Sequence, residues 1–367
     1  MKFIPIAEPV IGKEEEKLTL ACIRSTWISS TGEFLGKFEK KYADFIHVPY
    51  ATTCANGTAA LHLALLGYGI KTGDEVILPA LTFVSTANVI RYCGADPVFV
   101  DIDEKTWNID VNQIEKKITS RTRAIIPVHL YGYPAPMDRI IKIAKKHHLV
   151  VIEDAAEAHG AIYKQKLIGS IGDVGCFSFY GNKIITTGEG GMVTTKKLRI
   201  YKKILLYKNH GMSEKIKYFH PVIGYNYRMT NLQAALGLAQ LAKINAFLDK
   251  RDHIANLYRK LLSPVAGIVM QPPPTADSKP VCWLFSLTIT PEYKKSRQAL
   301  QDYLYTQGID SRRFFYPVID LPMYRTKEKF PVTKRISDQG LSLPSSPNLT
   351  DKQIKFIVDK IQLFAKL

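Results

Sequence analysis

The stretch at residues 172–193, GDVGCFSFYGNKIITTGEGGMV, contains two runs that are typical of buried strands and one lysine between them. The predicted strands are residues 176–179 and 191–195, and Lys183 lies in the loop between them. Most loop lysines are solvated surface groups, and that interpretation stays open for Lys183. The glycines after it let backbone approach a ligand closely, and a lysine desolvated there would have a lowered pKa and a nucleophilic amine.

Outward from this stretch, predicted strands and helices alternate from about residue 57 to residue 195. The predicted strands are short and almost wholly apolar, at residues 75–78, 97–101, 124–129, 149–153, 176–179 and 191–195. The predicted helices are residues 58–66, 84–92 and 137–147. This alternation predicts an α/β fold with a mostly parallel sheet covered on both faces. Ligands in such folds bind beyond the carboxyl ends of the strands.

The remainder of the chain predicts a smaller α+β unit. Residues 230–262 have apolar side chains at helical spacing and predict one long helix, which the prolines of residues 265–280 end. Beyond them the pattern predicts a strand, a helix that ends at Gly308 and a terminal amphipathic helix, at residues 282–290, 296–308 and 351–367. We therefore expect a large domain at residues 1–245 and a small C-terminal domain at residues 246–367.

Length and composition exclude several classes of protein. A chain of 367 residues with 46% hydrophobic residues can form two domains with packed cores, so it is neither disordered nor fibrous. Its apolar runs are much shorter than the ~20 residues of a membrane span, and its first residues lack the apolar stretch of a signal peptide. We expect a cytoplasmic protein with no membrane partner.

The cysteines and the net charge argue against a metal site and a nucleic-acid partner. The five cysteines have no C-x-x-C spacing, which favours reduced, mostly buried thiols over a disulfide or metal framework. A formal net charge of +17 is compatible with nucleic acid, a membrane surface or an anionic small substrate. The basic residues occur in short runs without the signature of a nucleic-acid-binding module. We therefore expect no metal and no nucleic acid.

Two further positions could serve a ligand together with Lys183. An apolar run ends abruptly in Glu153 and Asp154, so the Asp154 carboxylate would point into the ligand crevice or would cap the next helix. Gly57 and Thr58 open a predicted helix, so free N–H groups and a hydroxyl could hold a phosphate, unless Thr58 serves only as the helix cap. Pyridoxal phosphate (PLP) needs such a set: a lysine that bonds to it, a carboxylate that keeps its ring nitrogen protonated and a helix N-terminus for its phosphate.

At these motifs the sequence resembles the DegT/DnrJ/EryC1/StrS family of fold-type-I, PLP-dependent sugar aminotransferases. The matching segments cover nearly the whole chain and are ANGTAAL, PALTFVSTAN, VHLYGYPAPMD, EDAAEAHGA, FSFYGNKIITTGEGG, KNHGM, GYNYRMTNLQAALGLAQL and LSLPSSPNLT. FSFYGNK followed by TTGEGG is the most specific of them and is most similar to the branch that forms perosamine on GDP. The resemblance implies a large domain with a mostly parallel sheet and a smaller α+β C-terminal domain.

The resemblance also implies roles around the cofactor ring. Lys183 matches the lysine that carries PLP and moves a proton during the transfer, and Asp154 matches the partner of the ring nitrogen. Glu157, expected three residues on along the same helix face, matches the group near the ring hydroxyl, where some relatives have glutamine. Phe83 matches the aromatic residue that stacks on the ring, although an ordinary core phenylalanine is the alternative. For His159 we expect a supporting role, because the lysine already moves the proton.

The phosphate and the substrate have implied partners as well. Gly57, Thr58 and Ser178 match phosphate ligands, and Asn226 matches a residue that reaches the phosphate from a neighbouring subunit, which implies a homodimer with shared active sites. Candidates for contacts with the nucleotide sugar are Trp27, Ser29, Thr31, His210, Arg228, Arg312 and Tyr316.

The implied reaction is transfer of an amino group, with L-glutamate as donor, to the C4 ketone of a nucleotide-linked 4-keto-6-deoxy sugar. GDP-4-keto-6-deoxy-D-mannose is the favoured substrate, and the same reaction on a UDP- or dTDP-linked glucose derivative is the alternative. A sugar dehydratase is less favoured, because such relatives replace the lysine with histidine, and so is a regulator without enzyme activity, because Lys183 and Asp154 are intact. The implied context is polysaccharide biosynthesis, such as that of O-antigen.

Overall fold

The computed structural model describes residues 3–367, which form three sheets with helices packed on them. The helices are α1 (Lys13–Ser25), α2 (Glu33–Ile46), α3 (Gly57–Tyr68), α4 (Ser85–Tyr92), α5 (Val111–Ile114), α6 (Met137–Lys146), α7 (Leu198–Lys208), α8 (Asn231–Ala242), α9 (Ile244–Leu262), α10 (Arg297–Thr306), α11 (Pro331–Gln339) and α12 (Asp351–Lys366). The strands are β1 (Tyr50–Cys54), β2 (Glu75–Pro79), β3 (Asp96–Val100), β4 (Thr122–Ile125), β5 (Val150–Asp154), β6 (Ile162–Tyr163), β7 (Lys166–Leu167), β8 (Val174–Ser178), β9 (Gly191–Thr195), β10 (Ile268–Met270), β11 (Ser278–Lys279), β12 (Phe285–Ile289), β13 (Arg312–Arg313) and β14 (Gly340–Leu343).

The largest sheet has the strand order β1-β9-β8-β5-β4-β2-β3. Strands β3, β2, β4, β5 and β8 run parallel to one another, and β9 is antiparallel to both β8 and β1. The predicted mostly parallel α/β sheet is therefore confirmed. Its six predicted strands all form, and the sequence pattern missed only the edge strand β1 of this sheet.

Both faces of this sheet are buried, as the apolar strands predict. Alternate side chains of a strand point to opposite faces, and in β2 Val76 and Leu78 join one core while Ile77 joins the other. Helices α3, α4 and α7 supply side chains to the first core, and α2, α6 and α8 to the second. The sheet is thus a rigid layer, and side chains at the carboxyl ends of its strands are held in fixed positions.

The C-terminal part of the chain forms an antiparallel sheet of order β10-β12-β14-β13, covered by α9, α10 and α12. The start of the chain reaches this body, because the Ile4 N–H donates to the Gly308 carbonyl (2.9 Å) and Ile4 is buried in the same core. The division of the chain between residues 245 and 246 stays a prediction. Between residues 3 and 367, none of the helices is both long and apolar enough to cross a lipid bilayer.

Two helix predictions are wrong. Residues 230–262 form two helices, because Lys243 has φ −105° and ψ 3° and breaks the helix between α8 and α9. The break allows α8 to pack on α1 and α2 and α9 to pack on α12. Residues 155–160 form turns rather than a helix. Asp154 therefore caps no helix, and Glu157 reaches the same cavity as Asp154 through a turn and not along a helix face.

Candidate active site

A cavity of about 470 Å³ lies beyond the carboxyl ends of β5 and β8, where the α/β pattern predicts a ligand crevice. Eight of the candidate residues line it: Gly57, Thr58, Phe83, Asp154, Glu157, Ser178, Lys183 and Arg312. A second cavity of similar volume, about 490 Å³, is lined by Tyr131 among others and by none of the candidates. The first cavity therefore brings together the lysine, the two carboxyl groups and the helix end that the sequence singles out, although these residues are far apart along the chain.

Lys183 is enclosed in this cavity and is not a solvated surface group. Only 11% of its side chain is exposed, and its Nζ lies 3.7 Å from Oε1 of Glu157. Burial lowers the pKa of the Lys183 amine, against the attraction of Glu157 and Asp154, which favours the charged form. A lysine in this state has a larger neutral fraction at neutral pH than a solvated lysine, and the neutral amine is the nucleophile.

Asp154 is the last residue of β5, and its buried carboxylate faces the cavity. Its Oδ2 accepts a hydrogen bond from the Thr86 hydroxyl (2.8 Å), and its Oδ1 accepts one from the Ala156 N–H (3.2 Å). Burial raises the pKa of Asp154, while these hydrogen bonds and Lys183 oppose the rise. The carboxylate is thus held in one orientation, and a cationic neighbour stabilises its charged form.

Glu157 is a second buried carboxyl group in the cavity. Its Oε2 accepts a hydrogen bond from the Tyr131 N–H (2.7 Å), and burial raises its pKa to about 7. Tyr131 has a left-handed backbone (φ 55°), which is unusual for a residue with a side chain. The conformation matters because it aims a backbone donor at Glu157. Near neutral pH, Glu157 can therefore either donate or accept a proton.

The N-terminus of α3 is open toward the cavity. Asn56 caps the helix by accepting from the Ala59 N–H (2.8 Å), so Thr58 is not the cap. The N–H groups of Gly57 and Thr58 form no hydrogen bond within residues 3–367. A Cβ on Gly57 would lie 2.8 Å from the Cβ of Ser178, so only glycine lets the helix end approach that strand end. Two free N–H groups beside two hydroxyls are a suitable binding site for a phosphate.

These groups fit PLP. Besides the open helix end, the buried Oδ1 of Asn182 has no hydrogen-bond partner within residues 3–367, and Asn182 lines the cavity. Phe83 also lines the cavity and is 54% exposed, so it is not a core residue, and its ring is free to cover a ligand. Lysine, carboxylate, phosphate cradle and exposed aromatic ring are the groups that the cofactor requires.

His159 lies behind the cavity wall and not in it. Its Nδ1 lies 2.8 Å from the hydroxyl of Tyr42, and its Nε2 lies 2.8 Å from the carbonyl oxygen of Ser178. Since a carbonyl oxygen only accepts, Nε2 donates to it and Nδ1 accepts from Tyr42. Burial lowers the pKa of His159 to about 3, so the ring is neutral. This arrangement fixes the backbone at Ser178.

Several contributors to the site were not among the candidates. Trp283 covers Lys183, with its ring centroid 3.8 Å from Nζ, and Thr86 and the Tyr131 backbone hold the two carboxyl groups. Thr86 lies in the motif PALTFVSTAN, so the resemblance to the family could have indicated it as a site residue. Trp283 lies 100 positions after Lys183 in the sequence and has no local signal.

The other candidates lie outside the cavity of this chain. Trp27, Ser29, Thr31 and Tyr316 are exposed, and the ring of Tyr316 is covered by the guanidinium of Arg313. His210, Asn226 and Arg228 form a separate cluster, in which Nη2 of Arg228 lies 3.3 Å from Nε2 of His210 and 3.3 Å from Oδ1 of Asn226.

The backbone at this cluster leaves Asn226 exposed while its two neighbours are packed. The rings on either side of it, Tyr225 and Tyr227, pack on the buried His62 of α3 at 4.9 and 5.9 Å between ring centroids. Asn226 between them is exposed.

Comparison with known proteins gives one consistent result. The model of the DegT/DnrJ/EryC1/StrS aminotransferase family matches residues 9–362. The GDP-perosamine synthase of Escherichia coli O157:H7 is 46% identical over 366 residues, which cover 99% of each chain. The GDP-perosamine synthase of Caulobacter vibrioides is 43% identical over 357 residues, which cover 97% of this chain and 96% of that protein. The PLP form of Spr1654 from Streptococcus pneumoniae is 28% identical, with a TM-score of 0.93 and 99% of each chain covered.

Proposed function

Because the chain belongs to the DegT/DnrJ/EryC1/StrS aminotransferase family, we propose that it moves an amino group from L-glutamate to the C4 ketone of a nucleotide-linked 4-keto-6-deoxy sugar. The favoured substrate is GDP-4-keto-6-deoxy-D-mannose, and the product is then GDP-perosamine. The observation that carries the proposal is the cavity in which Lys183, Asp154 and the open end of α3 meet. The relatives named GDP-perosamine synthase support the choice of sugar.

PLP supplies an aldehyde that bonds reversibly to amino groups and a ring that draws electrons from the neighbouring carbon. In our proposal Lys183 would hold the aldehyde carbon, and Asp154 would keep a proton on the ring nitrogen. The Gly57 and Thr58 N–H groups and the Ser178 hydroxyl would bind the phosphate. Phe83 would pack on the ring and exclude water.

Lys183 also moves the proton in each half of the reaction. Its Nζ is enclosed, and burial lowers its pKa, so the neutral amine can take a proton from a carbon atom and return it to another. Glu157, 3.7 Å away, balances the charge that Nζ gains. The pKa of Glu157, raised by burial to about 7, means that little energy separates its two protonation states near neutral pH.

We also propose a homodimer with shared active sites. Asn226 lines no part of the cavity of its own chain, and Tyr225 and Tyr227 fix its backbone on α3. A second copy that presents its Asn226, His210 and Arg228 at the cavity would complete the phosphate site and part of the sugar site.

Electrostatic attraction accounts for the class of substrate and not for the base. Arg312 lines the cavity and is exposed, and the chain carries a net charge of +17. The diphosphate of a nucleotide sugar is attracted by such a surface whichever base it carries. Salt should therefore weaken the binding of every nucleotide sugar and leave their order unchanged.

The test is an assay of the purified protein with L-glutamate and three ketones, derived from GDP-mannose, UDP-glucose and dTDP-glucose. We expect kcat/KM to be highest for the GDP-linked ketone by at least about tenfold, which corresponds to ~1.4 kcal/mol of transition-state binding. Mass spectrometry should show an amino sugar, whereas a dehydratase would give a deoxygenated one. A UDP- or dTDP-linked ketone in first place would contradict the choice of nucleotide, and Lys183→Ala is the inactive control.

A further inference from the structure

We propose that Trp283 is a positioning residue that holds the Lys183 amine against one wall of the cavity, a role that rests on the proposed function. The indole ring is 3% exposed, and its centroid lies 3.8 Å from Nζ of Lys183. Its N–H donates to the carbonyl oxygen of Asn182 (2.8 Å), the residue just before Lys183. One side chain thus contacts both the backbone and the amine of this short segment.

The indole is held from the C-terminal part of the chain. The carbonyl oxygen of Trp283 accepts a hydrogen bond from Nη1 of the buried Arg251 (2.8 Å), which also binds the carbonyl oxygens of Cys282 and Ser345. Two residues earlier, the Val281 N–H donates to the carbonyl of Gly132 (3.0 Å). The backbone that carries the indole ring is therefore held by hydrogen bonds that do not involve Lys183.

The amine lies close to two groups that stabilise its charge. Glu157 is 3.7 Å from Nζ, and the negative face of the indole ring is 3.8 Å from it. An ammonium over a desolvated tryptophan face is attracted by the ring quadrupole. Whenever Lys183 is not bonded to a cofactor, the long lysine side chain would be free to rotate away if the indole ring were missing. The ring limits this motion and keeps Nζ where it can move a proton.

If Trp283 only filled space, replacing it would not change the pKa of the Lys183 amine, so a buried tryptophan that does not contact Lys183 is needed for comparison. Trp107 is the matched control, because it is equally buried and packs on Phe314 with 5.1 Å between ring centroids. It lines no part of the cavity. Trp283→Phe keeps an aromatic face over Lys183, whereas Trp283→Leu and Trp283→Met keep an apolar side chain without one.

The experiment measures Lys183 itself. Full-length protein is freed of cofactor and given PLP across a range of pH, and the bond to Lys183 is trapped by borohydride and quantified by peptide mapping. The midpoint of the rate against pH reports the apparent pKa of the amine. The charged groups that act on it, Glu157, Asp154 and Arg312, are the same in all variants.

We expect the midpoint to fall by about one pH unit in Trp283→Leu and Trp283→Met, because the ammonium loses its aromatic partner. Trp283→Phe and Trp107→Phe should stay within about 0.3 unit of the wild type. In the cofactor-loaded enzyme, kcat should fall in Trp283→Leu and Trp283→Met, while KM for the sugar stays unchanged. In Trp283→Phe, kcat should stay close to that of the wild type.

Two results would overturn the proposal: an unchanged or raised midpoint in the Leu and Met variants, or an equal shift in Trp283→Phe. A wild-type protein that carries no label on Lys183 would instead refute the proposed function. The two failures are therefore distinguishable.

Discussion

Replacing Asp154 with asparagine should abolish most activity while leaving the fold intact. Asparagine has the same shape, and its amide can keep both hydrogen bonds: Oδ1 accepts from the Ala156 N–H, and Nδ2 donates to the Thr86 hydroxyl. Thr86 can then donate to the Thr82 hydroxyl, 3.0 Å away, so no buried group loses its partner. The variant therefore changes the charge of the site and little else.

The size of the effect follows from the loss of that charge. A buried carboxylate in contact with a cation at ~4 Å contributes about 4 kcal/mol at an effective dielectric constant of about 20. Each 1.36 kcal/mol corresponds to about a tenfold change in rate. Without the carboxylate the ring nitrogen does not keep its proton, so kcat should fall by about 10³-fold.

The assay compares the two half-reactions by the absorbance change of the bound cofactor, first with L-glutamate and then with the keto-sugar. Both should be slowed together in Asp154→Asn, while the melting temperature stays near that of the wild type. Asp138→Asn is the control, because that carboxylate is exposed and binds Tyr163 and Lys164 outside the cavity. A kcat within about threefold of the wild type in Asp154→Asn would refute the role of Asp154.

Three further outcomes are expected. Gly57→Ala places a Cβ 2.8 Å from a neighbouring Cβ, so its Kd for PLP should rise about tenfold or more, whereas Gly36→Ala, which has nothing within 4 Å of its Cβ, should bind PLP normally. The pKa of Glu157 is raised from 4.5 to about 7, so in cofactor-free protein its protonated carboxyl contributes stability that is fully present below pH 4.5 and is lost as the pH rises through 7. The free energy of unfolding should therefore be about 2.5 kcal/mol lower at pH 8 than at pH 5, a difference that Glu157→Gln lacks, and the same pH dependence in both proteins would contradict the burial argument. Mixing Lys183→Ala with Asn226→Ala subunits should restore part of the activity, because each mixed dimer has one intact site; a mixture as inactive as its parents would argue against Asn226 acting in the partner's site.

The sheet and three parts of the site could be predicted because their signals are local. Apolar runs of five residues mark strands buried on both faces, and a residue that directly follows such a run lies at the ligand edge of a parallel sheet. Asp154 is the last residue of β5 and therefore lies at that edge, and Lys183 comes shortly after β8. Gly57 marks the start of α3 for a similar reason, because helix periodicity begins there.

The parts that could not be predicted depend on contacts between distant segments. Trp283 reaches Lys183 only because Arg251 and Gly132 hold its backbone, and no local pattern encodes that contact. The break at Lys243 is similar: both halves have helical periodicity, and their different packing partners separate them. A backbone donor such as the Tyr131 N–H leaves no signal in the side-chain pattern.

The role of Lys183 is tested most sharply by reducing the purified, cofactor-loaded enzyme with borohydride and locating the label by peptide mapping. We expect one labelled peptide, containing Lys183, and no label in Lys183→Ala protein, which should also be inactive. Lys208→Ala would be a poor control, because that side chain is only 12% exposed and donates a hydrogen bond to Thr52. The exposed Lys164 serves instead, and its alanine variant should label normally. A label on any other lysine, or turnover by Lys183→Ala, would show that Lys183 does not carry the cofactor.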